Sequence, residues 1–470
     1  MGDNEDENDN ENENEDQNDN QNDNQNDNEN DNENDNENQT KTITKTMIQY
    51  ISADEAAMLV RSGDHIHWPC VSGAPEHLIE ALVRRADRSD CQPLHDITIS
   101  HFYTEGYADY TLPRYRGIFH LDSFFVGANV RQATQEGNAD YIPCSLSETP
   151  RMIASGAVGC DVVLLMVSPP DSEGYVSLGT SVDYMPEAIE RARIVIAQVN
   201  NYVPYTYGDS RIHTSRIGAF VRHDVPLRPA APSPLSDTDI AIGRHCAALI
   251  PDGATLQIGI GNIPTAVLAQ LEGHRDLGIH SEMFSDSVIP LIEKGIINGS
   301  RKHTDPGKHV AMFLKGSQQL YDFAHRNTSV LMRSVGYTNN PAVIASNPRV
   351  VALNSAIQID LSGQVCSDSI GPRIFSGSGG QLDFILGATY SDGGIPIIAM
   401  PSITAKGVSK IVPTLTPGAG VVTPRTLVRW VVTEQGAVNL YGLSLAQRAK
   451  ALISIAHPSV REQLEKECTA

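Results

Sequence analysis

Short runs of β-branched and other apolar residues alternate with helix-like stretches along most of this chain, and this alternation limits the fold more than any other feature. The run CDVVLLMVSPP (160–170) is stopped by two prolines, as a buried strand would be. The stretch MPEAIERARIVIAQVN (185–200) begins as a helix and continues into another strand. Strands that alternate with helices form mainly parallel sheets covered on both faces. The sequence therefore predicts an α/β fold.

The first 39 residues do not share this pattern. They alternate Asn with Asp, Glu or Gln and hold 17 of the 57 acidic residues of the chain, with no Lys or Arg. Such a segment has no apolar surface to offset the cost of ordering, and its charges repel one another. We predict a disordered tail over residues 1–40. The remaining chain has 40 acids against 35 bases, which is ordinary for an enzyme.

The length of the remaining chain, about 430 residues, predicts two domains. The segment HDVPLRPAAPSPLSDTD (223–239) contains four prolines, which disfavour both helix and central strand. A helix capped by Ser236 or Asp237 is then expected to begin. We therefore predict an N-terminal α/β domain over 41–230 and a C-terminal α/β domain over 231–470.

Several classes of protein are disfavoured by composition. The seven cysteines are scattered and form no C-x-x-C pair, which disfavours a disulfide scaffold or zinc ribbon and favours a reducing, cytoplasmic location. No apolar run approaches 18 residues, so no membrane association is expected. No basic stripe interleaved with aromatic residues indicates nucleic-acid binding. His65 and His67 lack further ligands in sequence, so no metal site is predicted.

A glycine turn in ATLQIGIGNIPTAVLAQL (254–271) is the first stretch that indicates chemistry. A strand end is followed by Gly259 and Gly261 and then by a helix-like segment. Backbone N–H groups at such a helix start suit a phosphate or an oxyanion. The dinucleotide fingerprint requires a third glycine, and here that position is Pro264. A turn needed only for close packing is the alternative.

Glu282 is the second candidate. In LGIHSEMFSD (277–286) it leaves an apparent buried strand and is followed by Met283 and Phe284. An unpaired carboxylate is costly to bury. An acid about 20 residues beyond the glycine turn could hold the ribose of a dinucleotide. The carboxyl end of a parallel strand also suits a nucleophile, and an exposed acid is a third possibility.

Two further stretches suit anions. SGSGGQLDFILGA (376–388) begins with a glycine-dense loop whose amides can approach a ligand closely. PSITAKGVSKIVP (401–413) carries Lys406 and Lys410 in an expected turn, where a lysine could neutralise a phosphate or remain a solvated surface charge.

Taken together, the chain resembles the acetyl-CoA hydrolase/transferase family, in particular its 4-hydroxybutyrate and butyrate/acetate CoA-transferase branch. The resemblance spans residues 45–467. Ser287 stands where the family pattern has glycine, and the acidic tail has no counterpart there. The stretches that carry the resemblance are ADYIPCSLSETPRMI, DVVLLMVSPPDSEGYVSLGTSVDY, GDSRIHTSRI, GIGNIPTAVLAQL, LGIHSEMFSD, SGSGGQLDF, TAKGVSKIVP and VTEQGAVNLYGLSLAQRAKALISIAHPSVREQL.

This resemblance implies two Rossmann-like α/β domains with CoA-transferase-like, mainly parallel sheets. It implies a ping-pong CoA-transferase in which Glu282 is the nucleophile and forms a glutamyl-CoA thioester, while the amide of Gly380 contributes to an oxyanion hole. Glu434 matches a family acid, either as a polar support or as a buried structural acid. The CoA-binding residues that the resemblance implies are Ile258, Gly259, Ile260, Gly261, Asn262, Ser376, Gly380 and Lys406.

The expected substrates are an acyl-CoA, such as acetyl-, butyryl- or 4-hydroxybutyryl-CoA, and a short-chain carboxylate. CoA is a substrate here, and no permanently bound cofactor is expected. The first-domain loops 68–75 and 101–110 are expected to line the acyl pocket, and a homo-oligomer is expected from family likeness. Three alternatives stay open at this point: an acyl-CoA hydrolase with the same glutamate, a dinucleotide-dependent oxidoreductase, and a non-catalytic binding protein.

Overall fold

The computed structural model of the protein describes residues 48–230 and 233–468. The predicted disordered tail lies outside the described residues. Two large sheets contain most of the regular strands, and helices connect these strands along the chain. The predicted α/β class with mainly parallel sheets is confirmed. The exact domain boundary near residue 230 stays a prediction.

The first sheet has eight strands, and every neighbouring pair is parallel. All six residues of Val162–Val167 are buried, as expected for a strand covered on both faces. The order of the strands reverses between Val162–Val167 and His65–His67, which makes this the topological switch point. In spatial order the strands are Tyr50–Ile51, Ala219–Arg222, Ile194–Val199, Val162–Val167, His65–His67, Ile97–Ser100, Phe119–Ser123 and Ala139–Tyr141.

The second sheet has six strands, of which only the last is antiparallel. Its switch point lies between Thr255–Ile258 and Val350–Asn354. Gly278–Ile279, the next strand of this sheet along the chain, pairs with one edge of Thr255–Ile258, and all later strands of the sheet lie on the opposite side. In spatial order the strands are Gly278–Ile279, Thr255–Ile258, Val350–Asn354, Ile395–Ala399, Trp430–Thr433 and Gly436–Asn439.

Short strands join the first half of the chain, residues 48–230, to the second half, residues 233–468. Met283–Phe284 pairs in parallel with Phe313–Leu314, and Ser181 bridges to Phe313 from the first half. One hydrophobic core contains residues from both large sheets, including Val163 and Leu256. The other short strands are Tyr175–Ser177, Tyr207–Gly208, Arg211–His213, His309–Ala311, Val330–Met332, Gln358–Asp360, Val365–Cys366, Ser369–Ile370, Arg373–Ile374 and Ile411–Val412.

The helices begin where capping residues allow. Ser236 forms a complete capping box with Asp239, as predicted for the helix after the proline-rich segment. None of the described helices is both long enough and apolar enough to cross a bilayer. The α-helices are Ala53–Ala57, Glu76–Ala86, Arg131–Gln135, Thr149–Ser155, Met185–Arg191, Asp237–Ala247, Asn262–Leu268, Ile289–Glu293, Gln318–Ala324, Val335–Thr338, Pro341–Ser346, Gln381–Tyr390, Leu445–Ser454 and Pro458–Cys468.

Candidate active site

A cavity of about 280 Å³ lies at the switch point of the second sheet. Its walls include residues at the carboxyl ends of three neighbouring strands, where ligands bind in open α/β sheets. The glycine loop 376–380 forms another wall, and Phe125 contributes from the first half of the chain. Glu282 also lines this cavity. The structure therefore brings the predicted glycine turn, the predicted glycine loop and the predicted acid together.

The main chain around Glu282 is firmly held. The strand Gly278–Ile279 ends before it, and Glu282 itself lies between two short elements. Its carbonyl oxygen accepts hydrogen bonds from the N–H groups of Met312 (2.9 Å) and Phe313 (3.0 Å). The preceding Ser281 is buried and donates from Oγ to the carbonyl of Ile258 at 3.1 Å. These bonds fix the point from which the Glu282 side chain enters the cavity.

The Glu282 carboxylate has two hydrogen-bond donors. Nδ2 of Asn339 donates to Oε2 of Glu282 at 3.0 Å, and the backbone N–H of Gly380 also interacts with this carboxylate. The approach at Gly380 is very close, because a Cβ atom there would lie 2.1 Å from Oε2 of Glu282. Glycine is therefore required at 380 by contact with the acid, since its φ of −85° is open to any residue.

The electrostatic environment opposes ionisation of Glu282. Burial raises its pKa to about 7, and the nearby charges of Asp383 and Asp183 act in the same direction. The bonds from Asn339 and Gly380 favour the charged form but do not outweigh burial. A carboxyl group with a pKa near neutrality in a cavity is characteristic of a functional site.

Asp383 belongs to the same environment and connects the two halves. It lies in the first turn of the helix Gln381–Tyr390 and accepts bonds from the N–H (3.2 Å) and Oγ (2.7 Å) of Ser147 in the first half. Burial raises the pKa of Asp383 to about 6 despite these bonds. The helix that follows the glycine loop is thus attached to the first half.

The glycine loop itself is fastened by first-half residues. Nε of Arg131 donates to the carbonyl of Phe375 at 2.6 Å, and its guanidinium carbon lies 3.8 Å from the centre of the Phe375 ring. The N–H of Val126 donates to the carbonyl of Ser376 at 2.9 Å. A Cβ at Gly377 would lie only 3.0 Å from the ring of Phe125. The loop therefore has its shape because the first half holds it.

The predicted CoA-binding residues are not all in the cavity. Gly259 and Ile260 line it, as do Ser376 and Gly380. Gly261 precedes the helix Asn262–Leu268 with a φ of 113°, which only glycine adopts easily. Like Gly261, the remaining three predicted residues do not line the cavity: Ile258 is buried beneath it, Asn262 donates to Asp239 at 3.1 Å, and Lys406 lies on an exposed turn.

Glu434 accepts hydrogen bonds from Ser402 and does not line the cavity. The N–H of Ser402 donates to its Oε2 at 2.8 Å, and the Ser402 hydroxyl donates to Oε1. Burial works to raise the pKa of Glu434, but the bonds from Ser402 outweigh it and lower the pKa overall. This arrangement fits an ionised polar support between two strand ends, one of the two roles considered from sequence.

The loops predicted to line the acyl pocket lie behind Phe125. The ring of Tyr103, in the loop 101–110, packs edge-on against Phe125 with centroids 5.8 Å apart. The carbonyl of Tyr103 accepts a bond from the N–H of Val71, in the loop 68–75, at 2.9 Å. Their role in acyl binding stays a prediction.

His65 and His67, the two histidines considered from sequence, both bond to protein partners. Nε2 of His67 bonds to the carbonyl of Gly159 at 2.7 Å, and Nε2 of His65 bonds to Ser100 at 2.8 Å. Within the described residues, one group of potential metal ligands comes together on the surface, with distances typical of ion pairs. In this group Nε2 of His120 lies 3.2 Å from Asp122 and 3.1 Å from Asp140.

Asn339 was not predicted from sequence. It lies in SVGYTNNPAV, where Asn before proline indicates a helix cap. Asn340 fills that role, since its side chain accepts from the N–H of Ala342. Asn339 is fully buried and faces Glu282 instead. The only sequence signal was a second asparagine that the cap did not need.

Comparison with known proteins shows which family the chain belongs to. Two family models match the chain: the acetyl-CoA hydrolase/transferase N-terminal domain over residues 32–230 and the C-terminal domain over residues 316–468. The chain belongs to the acetyl-CoA hydrolase/transferase family. The family resemblance predicted from sequence is confirmed.

Relatives match over almost the whole described chain. A 4-hydroxybutyrate coenzyme A transferase of Clostridium kluyveri is 46% identical over 89% of this chain and 96% of its own. A succinyl-CoA:acetate/propanoyl-CoA:succinate CoA transferase of Fasciola hepatica is 45% identical over 88% and 86%. The crystal structure of RipA from Yersinia pestis is 35% identical, covers 89% of this chain and 97% of its own, and superimposes with a TM-score of 0.84.

These relatives confirm that this member of the acetyl-CoA hydrolase/transferase family is an enzyme of the CoA-transferase class, which acts between acyl-CoA and carboxylates. Membership of the family favours a CoA-transferase over a dinucleotide-dependent oxidoreductase for the chain as a whole. The roles of Glu282, Gly380 and the CoA-binding residues stay predictions.

Proposed function

We propose that the protein transfers CoA from a short-chain acyl-CoA to a free carboxylate by a ping-pong mechanism through a glutamyl-CoA thioester on Glu282. The observation that carries this proposal is the Glu282 carboxylate in the switch-point cavity, bonded to Asn339 at 3.0 Å and facing the amide of Gly380. A carboxylate can act as a covalent nucleophile, and neighbouring neutral donors can stabilise the oxyanions that form during the reaction.

In the first half-reaction, an oxygen of Glu282 attacks the thioester carbonyl carbon. The C–S bond breaks, CoA leaves as the thiolate, and an acyl-glutamyl anhydride forms. The thiolate then attacks the Glu282 carbonyl carbon of this anhydride, which releases the donor acid as its carboxylate and leaves glutamyl-CoA. The acceptor carboxylate runs the same steps in reverse. No net proton transfer is needed.

The donors around Glu282 have a defined task in this sequence. Each tetrahedral intermediate carries a negative oxygen, and the amide of Gly380 already faces the reacting carboxyl group. Removing one such donor costs roughly 3–4 kcal/mol of transition-state stabilisation in other enzymes. Asn339 orients Glu282 in the resting enzyme through its bond to Oε2.

The raised pKa of Glu282 also suits this chemistry. At a pKa of about 7 a large fraction of Glu282 is ionised near neutral pH, and a poorly solvated carboxylate is a stronger nucleophile than one in water. The same burial keeps water from an anhydride or thioester. Met283, which lines the cavity beside Glu282, contributes an apolar wall.

Short-chain acids are the proposed substrates. The relatives are named for 4-hydroxybutyrate, succinate, propanoate, butyrate and acetate. We assign acetyl-, butyryl- and 4-hydroxybutyryl-CoA as the donors to be tried first. CoA is consumed and released as a substrate in this scheme.

The test is the intact mass of the protein after incubation with acetyl-CoA or butyryl-CoA without an acceptor acid. A CoA-sized adduct is expected on the wild type, borohydride should abolish it, and Glu282→Ala should never form it. Glu293→Ala is the matched control, because this glutamate is exposed at the end of the helix Ile289–Glu293. Its adduct should equal that of the wild type.

Other outcomes are equally informative. Unmodified protein with steady release of free CoA would indicate acyl-CoA hydrolysis in place of transfer. An adduct that persists in Glu282→Ala would assign the nucleophile to another residue. Glu282→Asp should lose at least about 100-fold in rate, because shortening by one methylene displaces the attacking oxygen.

A further inference from the structure

Asp183 is a buried carboxyl group in an unusual backbone conformation. It is 1% exposed, and its φ of 49° lies in the left-handed region that non-glycine residues rarely adopt. No ion pair with Lys or Arg reaches it among residues 48–230 and 233–468. Both features cost free energy, so the surrounding structure must hold this residue in place.

The side chain of Asp183 holds the turn at Cys70. Its Oδ2 accepts from the N–H of Cys70 at 2.5 Å, and its Oδ1 accepts from Sγ of Cys70 at 3.1 Å and from Oγ of Ser181 at 3.0 Å. The next residue, Val71, has a φ of 48°, which is an outlier for a β-branched residue. This turn follows the strand His65–His67 at the switch point of the first sheet.

The main chain at Asp183 supports Glu282 by two routes. The N–H of Val182 donates to the carbonyl of Met312 at 3.0 Å, and the N–H of Met312 donates to the carbonyl of Glu282 at 2.9 Å. The carbonyl of Asp183 accepts from the N–H of Val335 at 2.7 Å. Val335 begins the short helix that directly precedes Asn339, whose amide donates to the Glu282 carboxylate.

We propose that Asp183 is a positioning residue for Glu282: its carboxylate fixes the Cys70 turn of the first half, and its carbonyl fixes the helix that precedes Asn339. The N–H of the adjacent Val182 fixes Met312, the other support of Glu282. This inference rests on the proposed function of Glu282 as the nucleophile. Asp183 therefore connects the turn at the switch point of the first sheet to the supports of Glu282. It contacts the attacking carboxyl group only through other residues.

The charge of Asp183 provides a readout that a purely structural residue would lack. Burial raises the pKa of Asp183 to about 6, and its negative charge contributes to the raised pKa of Glu282. The titratable groups that face Glu282 are Asp183, Asp383 and, more weakly, Cys70. Replacing Asp183 by a neutral residue removes one charge that opposes ionisation of Glu282.

The test is Asp183→Asn, measured as the single-turnover rate of adduct formation with butyryl-CoA between pH 5.5 and 8.5. The side-chain amide of Asn has one acceptor oxygen, whereas both carboxylate oxygens of Asp183 accept hydrogen bonds. The rate at pH 8 should fall about 100-fold, with the KM for acyl-CoA changed less than about threefold. The acidic limb of the pH profile should move to lower pH. A general loss of folded protein would lower the amplitude of adduct formation and leave the acidic limb of the pH profile in place.

Two Cys70 variants keep the proposal testable if Asp183→Asn does not fold. Cys70→Ser retains a donor to Oδ1 of Asp183 and should keep the rate within about threefold, whereas Cys70→Ala removes the donor and should lose about tenfold, the equivalent of one hydrogen bond to a charged group. Equal rates in the two variants would overturn the positioning role.

The failure of this inference differs from that of the proposed function. If the wild type forms no adduct with any donor, the proposed function fails and the inference falls with it. If the wild type forms the adduct and Asp183→Asn forms it at the same rate with an unmoved acidic limb, only the role of Asp183 is overturned.

Discussion

Nδ2 of Asn339 lies 3.0 Å from Oε2 of Glu282, so a buried amide donates to a carboxylate that has no cationic partner among the described residues. The bond favours the charged form of Glu282, while burial and two neighbouring acids oppose that form. In the proposed mechanism, the balance of these effects sets the pH at which the carboxylate can attack.

Replacing Asn339 by Ala should slow adduct formation at pH 7 by about 10- to 100-fold, the equivalent of a hydrogen bond to a charged group. The loss should be smaller at pH 9, because removing the donor raises the pKa of Glu282. Asn340→Ala is the control: it removes only the cap of the helix Pro341–Ser346 and should cost about 1 kcal/mol of stability with the rate retained. Stopped-flow and thermal unfolding separate the two effects.

Gly380→Ala should abolish activity in a folded protein. The added Cβ would lie 2.1 Å from Oε2 of Glu282 and 2.4 Å from Nδ2 of Asn339, so the carboxylate must leave its position. Gly379→Ala offers the contrast, since its Cβ makes only ordinary contact with Phe125 while its φ of 55° strains the backbone by about 1 kcal/mol. Thermal unfolding followed by circular dichroism, together with turnover, should show that Gly380→Ala is stable and inactive. Gly379→Ala should be less stable and active. The opposite pattern would contradict the site geometry.

The rate of adduct formation should rise with pH and level off above the pKa of Glu282. In the proposed mechanism, attack requires the ionised Glu282 carboxylate, and that group has a pKa of about 7. The rate should therefore be about half-maximal near pH 7 and should fall about tenfold for each further unit towards acid. Single-turnover kinetics in the absence of an acceptor acid measure this limb. A flat profile between pH 5.5 and 8 would show that the ionisation of Glu282 does not control the step.

Glu282→Gln should stabilise the protein at pH 8 and leave its stability unchanged near pH 4. The folded pKa of Glu282, about 7, lies above the ordinary value of 4.5, so the folded state binds more protons between these values. Stability then falls as pH rises through this window and is constant above it. The gain at pH 8 has an upper limit of about 3 kcal/mol. Urea unfolding at both pH values tests it, and equal stability of the two proteins at pH 8 would show that burial of the charge costs nothing.

Much of the scaffold follows from local pattern. The strand Val162–Val167 coincides with an uninterrupted apolar run, and Ile194–Val199 coincides with a run that only Gln198 interrupts. Ser236 caps the helix that was expected after the proline-rich segment. The glycine turn after Thr255–Ile258 and the acid 23 residues beyond it lie at one switch point, as the rules for parallel sheets predict. These features depend on neighbours in sequence.

The rest of the site depends on contacts between distant segments, which local pattern does not encode. Asn339 reaches Glu282 across 57 positions, and Cys70 reaches Asp183 across 113. Met283 and Phe284 are neighbours in sequence, yet Phe284 packs into the core against Phe323 while Met283 lines the cavity. Lys406, assigned to CoA through family likeness, lies on an exposed turn outside this cavity.

The fastening of the glycine loop by Arg131 and Val126 has a consequence for fidelity. The donors that face Glu282 belong to the second half of the chain, but residues of the first half hold the glycine loop in its conformation. If the halves separate to admit CoA, the donor array loses its shape at the same moment that water gains entry. An open enzyme would then be a poor catalyst at the moment when water can reach the site, and this coincidence would limit hydrolysis of acyl-CoA.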